Sequence, residues 1–194
     1  MRRLLVFLAL VALVVPVAGC GGGSVVAGAS PVDPLELVTI LPTPAGFDQA
    51  SSSARAASAA DVQVALARTA KPDVAAEYKG LGLKGAAIRT WDGPDGAKAV
   101  VVASRWQDHL TATNIGAGPS QILLGKSGVR AWTPADLPGA RGVQVDGTSP
   151  SRVLSLAVDD ISVFMRVDGA VDPNVLVRTL QLAARRLQAA SGTA

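Results

Sequence analysis

The sequence predicts a single α+β domain, in which helices pack on one face of an antiparallel sheet, behind a cleaved signal peptide. Three observations indicate this class. Helical spacing occurs near both ends of the chain, over residues 54–79 and 173–190, and runs of alternating apolar residues lie between them. Turn-forming residues separate those runs at short intervals, as in hairpins. The single cysteine excludes an intramolecular disulfide, so packing alone must stabilise the fold.

The first residues have the pattern of a secretory signal. Arg2 and Arg3 precede an apolar run from Leu4 to Val15, which is shorter than the roughly 20 residues that a membrane-spanning helix needs. Pro16 ends the run, because its ring removes a backbone donor and clashes with the preceding turn. We therefore predict that residues 1–19 are removed.

The residues Val17-Ala18-Gly19-Cys20 resemble the lipobox of bacterial lipoproteins, whose usual form is Leu-(Ala/Ser)-(Gly/Ala)-Cys, with valine in place of leucine. The resemblance implies that the Cys20 thiol is joined to a diacylglyceryl group and that cleavage makes Cys20 the new N-terminus. The protein would then be a lipid-anchored lipoprotein on the extracytoplasmic face of the cell membrane. An ordinary secretory peptide with an incidental cysteine and an uncleaved membrane anchor are the alternatives.

The charge balance gives no support to nucleic-acid binding. The chain has 18 basic and 15 acidic residues, and Arg2 and Arg3 leave with the signal, so the mature protein is almost neutral. No stripe of basic residues alternates with aromatic residues, which is the pattern expected of a nucleic-acid-binding surface.

The first part of the mature chain predicts a tether and two helices. Residues 20–33 are rich in glycine and form a lipidated flexible tether with an end-to-end distance of about 20 Å. The globular domain covers residues 34–190, and prolines 42 and 44 predict an irregular, partly extended entry over 35–41. Serines 51–53 could cap a helix over 54–70, and Pro72 begins a second helix that ends near Lys79, with Gly80 as its cap.

The middle of the chain predicts strands. Residues 83–91 and 98–106 are strand-like and flank a hairpin loop, and residues 128–133 and 141–146 are strands around a second loop. Residues 107–124 are ambiguous, because a helix could begin there but Gly116, Gly118 and Pro119 would interrupt it.

The clearest hairpin runs from Arg152 to Val167 and turns at Asp159-Asp160. Alternation across the strands predicts one core face and one more polar face that is nearer water. The core face pairs Val158 with Ile161, Leu156 with Val163 and Leu154 with Met165. A last helix begins at Asp172-Pro173, and its apolar residues recur every three or four positions.

Three patterns suggest chemistry but have simpler explanations. Gly80-Leu81-Gly82-Leu83-Lys84-Gly85 matches G-x-G-x-x-G, yet a helix precedes it and a strand follows, the reverse of a dinucleotide site. His109 lacks a recognisable nucleophile motif and cysteine partners, so neither a triad nor a zinc site is expected. The Asp159-Asp160 pair is better explained as a turn than as an acid/base pair.

Four large aromatic residues lie on the predicted strands, and they have two interpretations. They could line an apolar pocket between the sheet and the helices, or they could simply fill the core. The residues of this candidate apolar pocket are Trp91, Trp106, Trp132 and Phe164.

Two further motifs carry a resemblance. Leu41-Pro42 through Ala45-Gly46-Phe47, Gly82 to Trp91 and Ala131-Trp132-Thr133-Pro134 resemble segments of small secreted lipoproteins of high-GC Gram-positive bacteria. Those proteins often have L-P-x-x-P-x-G-F early and G-F-x-x-G-x-x-R-x-W after the first helices; here Leu83 replaces the phenylalanine. The group has no established biochemical activity, so the resemblance implies class and location alone.

The sequence therefore predicts a non-catalytic binding or accessory module that is anchored to the membrane through Cys20. The alternative is a carrier that holds a lipid or another apolar small molecule in a cleft between sheet and helices. We expect no catalytic residues, cofactor or metal site, because no nucleophile–base or metal-ligand set can be assembled. The partner is an unknown protein or apolar ligand rather than nucleic acid.

Overall fold

Seven strands form one antiparallel sheet in the computed structural model of this chain, which describes residues 33–68, 72–124 and 126–191. The strands are β1 (Ser53–Ser58), β2 (Gly85–Asp92), β3 (Lys98–Arg105), β4 (Val129–Trp132), β5 (Arg141–Val145), β6 (Ser151–Val158) and β7 (Ile161–Asp168). The helices are α1 (Pro34–Ile40), α2 (Ala59–Arg68), α3 (Pro72–Gly80), α4 (His109–Leu123) and α5 (Pro173–Ser191), with a short 3-10 turn at Pro94–Gly96. The predicted signal peptide, residues 1–19, and nearly all of the predicted tether lie outside the described residues.

The strand order in the sheet is β1-β2-β3-β7-β6-β5-β4. Strands β1 to β3 follow one another as a meander, and β4 to β7 form a second meander that runs back towards the first. The pairing of β3 with β7 joins the two meanders at the centre of the sheet.

Helices α1 and α5 cover one face of the sheet, which we call the α5 face. Leu37 and Leu41 of the α1 segment and Leu176, Leu180 and Leu187 of α5 pack there on one continuous apolar cluster. The strand residues of that cluster are Ala87, Trp91, Ala99, Val101, Ala103, Leu154, Leu156, Val158, Ile161, Val163, Met165 and Val167.

Helices α2, α3 and α4 pack against the other face, which we call the α4 face. Val62 of α2, Tyr78 of α3 and Ala112 of α4 belong to a second apolar cluster. The strand residues that they cover are Ala86, Val102, Val143, Val153 and Phe164.

The α+β class and the antiparallel sheet are confirmed, but helices lie on both faces of the sheet rather than on one. The cause is the burial of the central strands, since almost every residue of β3 and β7 is buried whichever face it points to. The polar side of the last hairpin is therefore not near water: Ser155, Ser162 and Phe164 are only 2%, 4% and 7% exposed.

The register of the last hairpin is confirmed at every predicted pair. Asp159 and Asp160 form the turn, and Asp159 has a positive φ of 50°. The three predicted core pairs, Val158 with Ile161, Leu156 with Val163 and Leu154 with Met165, face each other across β6 and β7. All six side chains lie in the cluster under α5.

Two segments near the start of the domain differ from the sequence prediction. Residues 34–40 are helical rather than extended, because Asp33 and Glu36 form a capping box that binds the first free N–H groups. Residues 53–58 form the edge strand β1 rather than the start of a helix, since pairing with β2 satisfies their backbone groups. Helix α2 begins only at Ala59.

The ambiguous segment 107–124 contains α4, which continues through Gly116, Gly118 and Pro119. Packing against β5, β6 and β7 outweighs the low helix propensity of these three residues. Within the described ranges, none of the helices has the length and apolar character needed to cross a membrane.

Candidate functional site

The four aromatic residues of the predicted pocket do not come together, because the sheet lies between them. Trp91 is 1% exposed in the cluster on the α5 face, whereas Trp106 and Phe164 belong to the cluster on the α4 face. Trp132 lies on the edge strand β4, with four strands between it and β2, a distance of roughly 24 Å at the usual strand spacing. The four residues therefore do not line one shared apolar pocket, and the other interpretation, that they fill the core, fits Trp91, Trp106 and Phe164.

Trp106 has a structural role at the end of β3. Its indole N–H lies 3.1 Å from Ser104 Oγ and 3.0 Å from Ser162 Oγ, so the polar end of the ring is satisfied inside the core. The Tyr78 ring meets it edge-on, with 5.4 Å between the centroids and an angle of 85°. Burial raises the pKa of the Tyr78 hydroxyl, so that group stays protonated.

A small cleft opens elsewhere, at the start of β5, where β6 extends beyond its pairing with β5 and lies beside α4. Its volume is about 160 Å³. The residues that line it come from α4, from β5 and the loop before it, and from β6: His109, Thr113, Gly116, Ala117, Gly139, Arg141, Ser155, Leu156 and Ala157. We call it the α4–β6 cleft.

His109 is placed at the rim of the cleft by the start of α4. Asp108 caps this helix by accepting a 2.8 Å hydrogen bond from the N–H of Thr111, and this bond lowers the pKa of the Asp108 carboxyl. His109 Nδ1 lies 2.8 Å from the carbonyl oxygen of Asp159, and since a carbonyl can only accept, Nδ1 carries the proton. His109 Nε2 is 3.4 Å from Thr113 Oγ1.

Arg141 is held from the opposite side through its backbone. Its carbonyl oxygen accepts hydrogen bonds from Ser155 Oγ at 3.1 Å and from Ser120 Oγ at 3.3 Å. Ser155 Oγ is also 2.5 Å from the carbonyl oxygen of Gly116, so one hydroxyl ties α4 to β5 and β6. Arg141 as a whole residue is exposed to solvent.

The lining of the cleft contains no acidic residue. Its polar residues are Arg141, His109, Thr113 and Ser155. The nearby Asp160 carboxylate is already neutralised, because it lies 2.9 Å from Arg105 Nε and 3.1 Å from Lys84 Nζ. The remaining lining consists of small or apolar residues.

The sequence interpretation reached part of this site. His109 and the Asp159-Asp160 turn were both assigned to local structure, and both do have that role, but His109 also lines the cleft. Arg141 was not predicted, because nothing in its strand-like surroundings distinguishes it from any exposed arginine. Arg141 could be identified only from the sheet topology, because the cleft exists only where β6 extends beyond its pairing with β5.

The glycine motif has the geometry that the sequence predicts. Gly80 is the last residue of α3, and β2 begins at Gly85, so the helix precedes the strand. Gly82 has a φ of +67° and a Cβ there would lie 2.7 Å from Gln107 Cβ, so glycine is needed for the turn itself. Among the described residues, no three His, Cys, Asp or Glu side chains could together hold a metal ion.

Comparison with known proteins gives no family. No protein-family model and no curated protein matches this chain. One similar solved structure is the extracellular domain of PknH from Mycobacterium tuberculosis, with 10% identity, a TM-score of 0.47 and coverage of 81% of this chain and 92% of that one. Another is a putative uncharacterized protein (the Rv0999 ortholog) from Mycobacterium smegmatis, with 15% identity, a TM-score of 0.35 and coverage of 62% and 74%. Both neighbours are thus mycobacterial, and neither likeness is close enough to assign a function to this chain.

Proposed function

We propose that the mature chain is a lipid-anchored extracytoplasmic module that binds a small anionic group in the α4–β6 cleft and does no catalysis. The observation that carries this proposal is a concave site whose lining includes Arg141 and His109 but no acidic residue. A guanidinium binds carboxylate or phosphate through two parallel N–H groups, which suits it to this task.

The size of the cleft limits the ligand. A volume of about 160 Å³ corresponds to about five water molecules. That space accepts an acidic end group, such as a carboxylate on a short chain or a phosphate, while the rest of the ligand stays in solvent.

The polar contacts of the lining support binding rather than catalysis. His109 Nδ1–H donates its hydrogen bond to the backbone carbonyl of Asp159 and not to a carboxylate. The imidazole therefore lacks the acid that orients a triad histidine. The Ser155 hydroxyl is directed at two carbonyl oxygens and is not poised for attack. The Thr113 hydroxyl is the nearest oxygen to Nε2, at a distance of 3.4 Å.

The anchor rests on the sequence alone. Cys20 and the lipobox lie outside the described residues, and what supports the anchor is the resemblance of Val17-Ala18-Gly19-Cys20 to lipoprotein signals. The composition of residues 20–33, which is rich in glycine, supports a tether between Cys20 and the domain. Two acyl chains on Cys20 would suffice for stable anchoring.

The carrier alternative has less support. Pockets that enclose a small-molecule ligand have volumes of about 300–1,000 Å³, which exceeds the cleft described above. The aromatic residues that would have lined a larger pocket are separated by the sheet. Native mass spectrometry of the unlipidated protein with co-purified cell lipids tests this alternative directly: a retained lipid would favour the carrier.

The binding proposal is tested by NMR titration of the mature chain with acetate, succinate and inorganic phosphate. We expect the amide signals of residues 113–117 and 155–157 to shift with at least one anion. Arg141→Gln should lower the affinity for that anion by about tenfold or more, because a charge-assisted hydrogen bond is lost. The matched control is Arg130→Gln on strand β4, whose guanidinium pairs with Asp146 outside the cleft. If none of the three anions shifts the cleft signals, the proposed binding function is wrong.

The anchor is tested separately by cell fractionation. Cys20→Ser should move the protein from the envelope fraction into the medium, because the thiol that accepts the lipid is gone. A Ser variant that stays in the envelope fraction would show that another contact holds the protein there. Neither result depends on what the cleft binds.

A further inference from the structure

We infer that the solvent-exposed surface of α5 contacts anionic lipid headgroups, so that the α5 face of the sheet is turned towards the membrane. The inference rests on the proposed lipid anchor for the proximity of the membrane. The orientation comes from the described residues, in three steps.

The first step is the pattern along α5. Arg178, Leu182 and Arg185 are spaced i, i+4, i+7 and lie on one side of the helix. That side is opposite to the buried residues Leu176, Leu180, Ala183 and Leu187. Leu182 is 41% exposed, so an apolar side chain stands between two exposed arginines. Exposed arginines can bind the phosphates of anionic lipids, and a leucine between them can enter the headgroup region.

The second step is charge. Helix α5 contains three arginines and no acidic residue. Within the described part of the chain, Arg178 and Arg185 make no hydrogen bond or ion pair, whereas Arg105, Arg130 and Arg166 all pair with carboxylates. The charges of Arg178 and Arg185 are therefore available to lipid phosphates.

The third step is the position of the tether. It enters α1, which lies on the same face of the sheet as α5, and Arg186 Nη1 of α5 lies 3.2 Å from the carbonyl oxygen of Ile40. Leu35, in the first turn of α1, is 70% exposed. The acidic groups there, Asp33 and Glu36, are engaged with the N–H groups of Leu35 and Asp33. A tether of the predicted length, about 20 Å, would thus bring the proposed lipid towards the α5 face.

The proposed tether would hold the domain near the membrane surface. A weak affinity of the two arginines for lipid phosphates is therefore sufficient. An arginine close to an anionic membrane strengthens binding by about fivefold, and an intramolecular contact benefits from a local concentration of about millimolar. Helix α4, which forms one wall of the α4–β6 cleft, lies on the opposite side of the sheet from α5. The cleft would thus stay open to ligands while α5 rests on the membrane.

The test is co-sedimentation of the unlipidated mature chain, carrying Cys20→Ser, with vesicles at low ionic strength. Both core clusters lie within the described residues, so this chain keeps every packed element. We expect stronger partition to phosphatidylglycerol vesicles than to phosphatidylcholine vesicles. Arg178→Gln with Arg185→Gln should reduce that partition by about 25-fold, at about fivefold per arginine. Leu182→Gln, which keeps the charge, should also weaken it.

The matched control removes the same charge from the α4 face, through Lys79→Gln with Lys126→Gln; both lysines are exposed. This control should partition like the parent chain. Equal binding to both vesicle types, or an equal loss in the control and the arginine variant, would overturn the inference and leave a protein partner for α5. Because the assay uses unlipidated protein and no anion ligand, its result is independent of both tests of the proposed function.

Discussion

Asp160 connects three parts of the chain through one carboxylate. It lies in the β6–β7 turn and accepts from Arg105 Nε at the end of β3 and from Lys84 Nζ just before β2. The Arg105 side chain is only 10% exposed, so its charge depends on this partner more than a surface arginine would. The sequence predicts the turn, because two aspartates between alternating strands favour one. It does not predict the ion pairs, whose partners are 55 and 76 residues away.

Removal of the Asp160 carboxylate should therefore destabilise the fold. We expect Asp160→Ala to lower the free energy of unfolding by about 2 kcal/mol, since the nearly buried Arg105 loses the group that balances its charge. Urea denaturation monitored by circular dichroism measures this. The control is Asp146→Ala, which breaks the exposed pair with Arg130 and should cost less than about 0.5 kcal/mol. Equal losses in the two variants would contradict the assigned role of Asp160.

Gly142 is a second residue whose importance is visible only in three dimensions. A Cβ at this position would collide with the carbonyl oxygen of Val153 and lie 2.9 Å from Leu154 Cδ1 on the neighbouring strand. We expect Gly142→Ala to cost about 3 kcal/mol, because β5 must move away from β6. Gly96→Ala is the comparison: it has open space but a φ of +74°, so backbone strain alone should cost about 1 kcal/mol. If thermal unfolding shows a larger loss of stability for Gly96→Ala than for Gly142→Ala, β5 can move away from β6 at little cost.

At the scale of elements, local sequence preference and tertiary pairing disagree in two places. The alanine-rich segment that begins at Ser53 has helical composition, yet residues 53–58 form the edge strand β1, because β2 would otherwise leave its backbone groups unpaired. Helix α4 contains two glycines, yet it is continuous because it covers the polar side of the β6–β7 hairpin. In both cases the deciding partner is distant in the sequence. The last hairpin and α5 were predictable because their patterns are local and strong.

The cap of α4 should make that helix sensitive to acid. The N–H of Thr111 binds the ionised Asp108 carboxyl and lowers its pKa in the folded state, so the cap contributes fully above the ordinary carboxylate pKa and is lost as the pH falls through the folded value. Hydrogen exchange of the amides of residues 110–113 should thus accelerate, relative to the intrinsic rate, below about pH 4. Asp108→Asn keeps a capping oxygen without the charge, so its exchange should lack this pH dependence. An unchanged dependence in the Asn variant would assign the effect to another group.

At the scale of the whole molecule, the two apolar clusters share one sheet. Strands β3 and β7 contribute side chains to both clusters and pair with each other at the centre. Because both clusters need β3 and β7, unfolding of these strands disrupts both clusters at once. The described domain should therefore unfold as one unit, although helices cover both faces of its sheet. The same shared sheet separates Trp91 from Trp106 and Phe164, so these aromatic residues fill the two clusters instead of lining one pocket.

This coupling predicts one unfolding midpoint for both faces. Trp91 reports on the cluster under α5 and Trp106 on the cluster under α4, so Trp91→Phe and Trp106→Phe each remove the probe of one face. Trp132 also packs against the cluster under α5, so both variants additionally carry Trp132→Phe and each keeps a single tryptophan. Within each variant, the urea midpoint from tryptophan fluorescence should coincide with the midpoint from far-ultraviolet circular dichroism, because two-state unfolding gives the same transition by every probe. If the fluorescence midpoint precedes the circular dichroism midpoint in one variant alone, the face whose tryptophan remains unfolds first, and the two clusters are independent units.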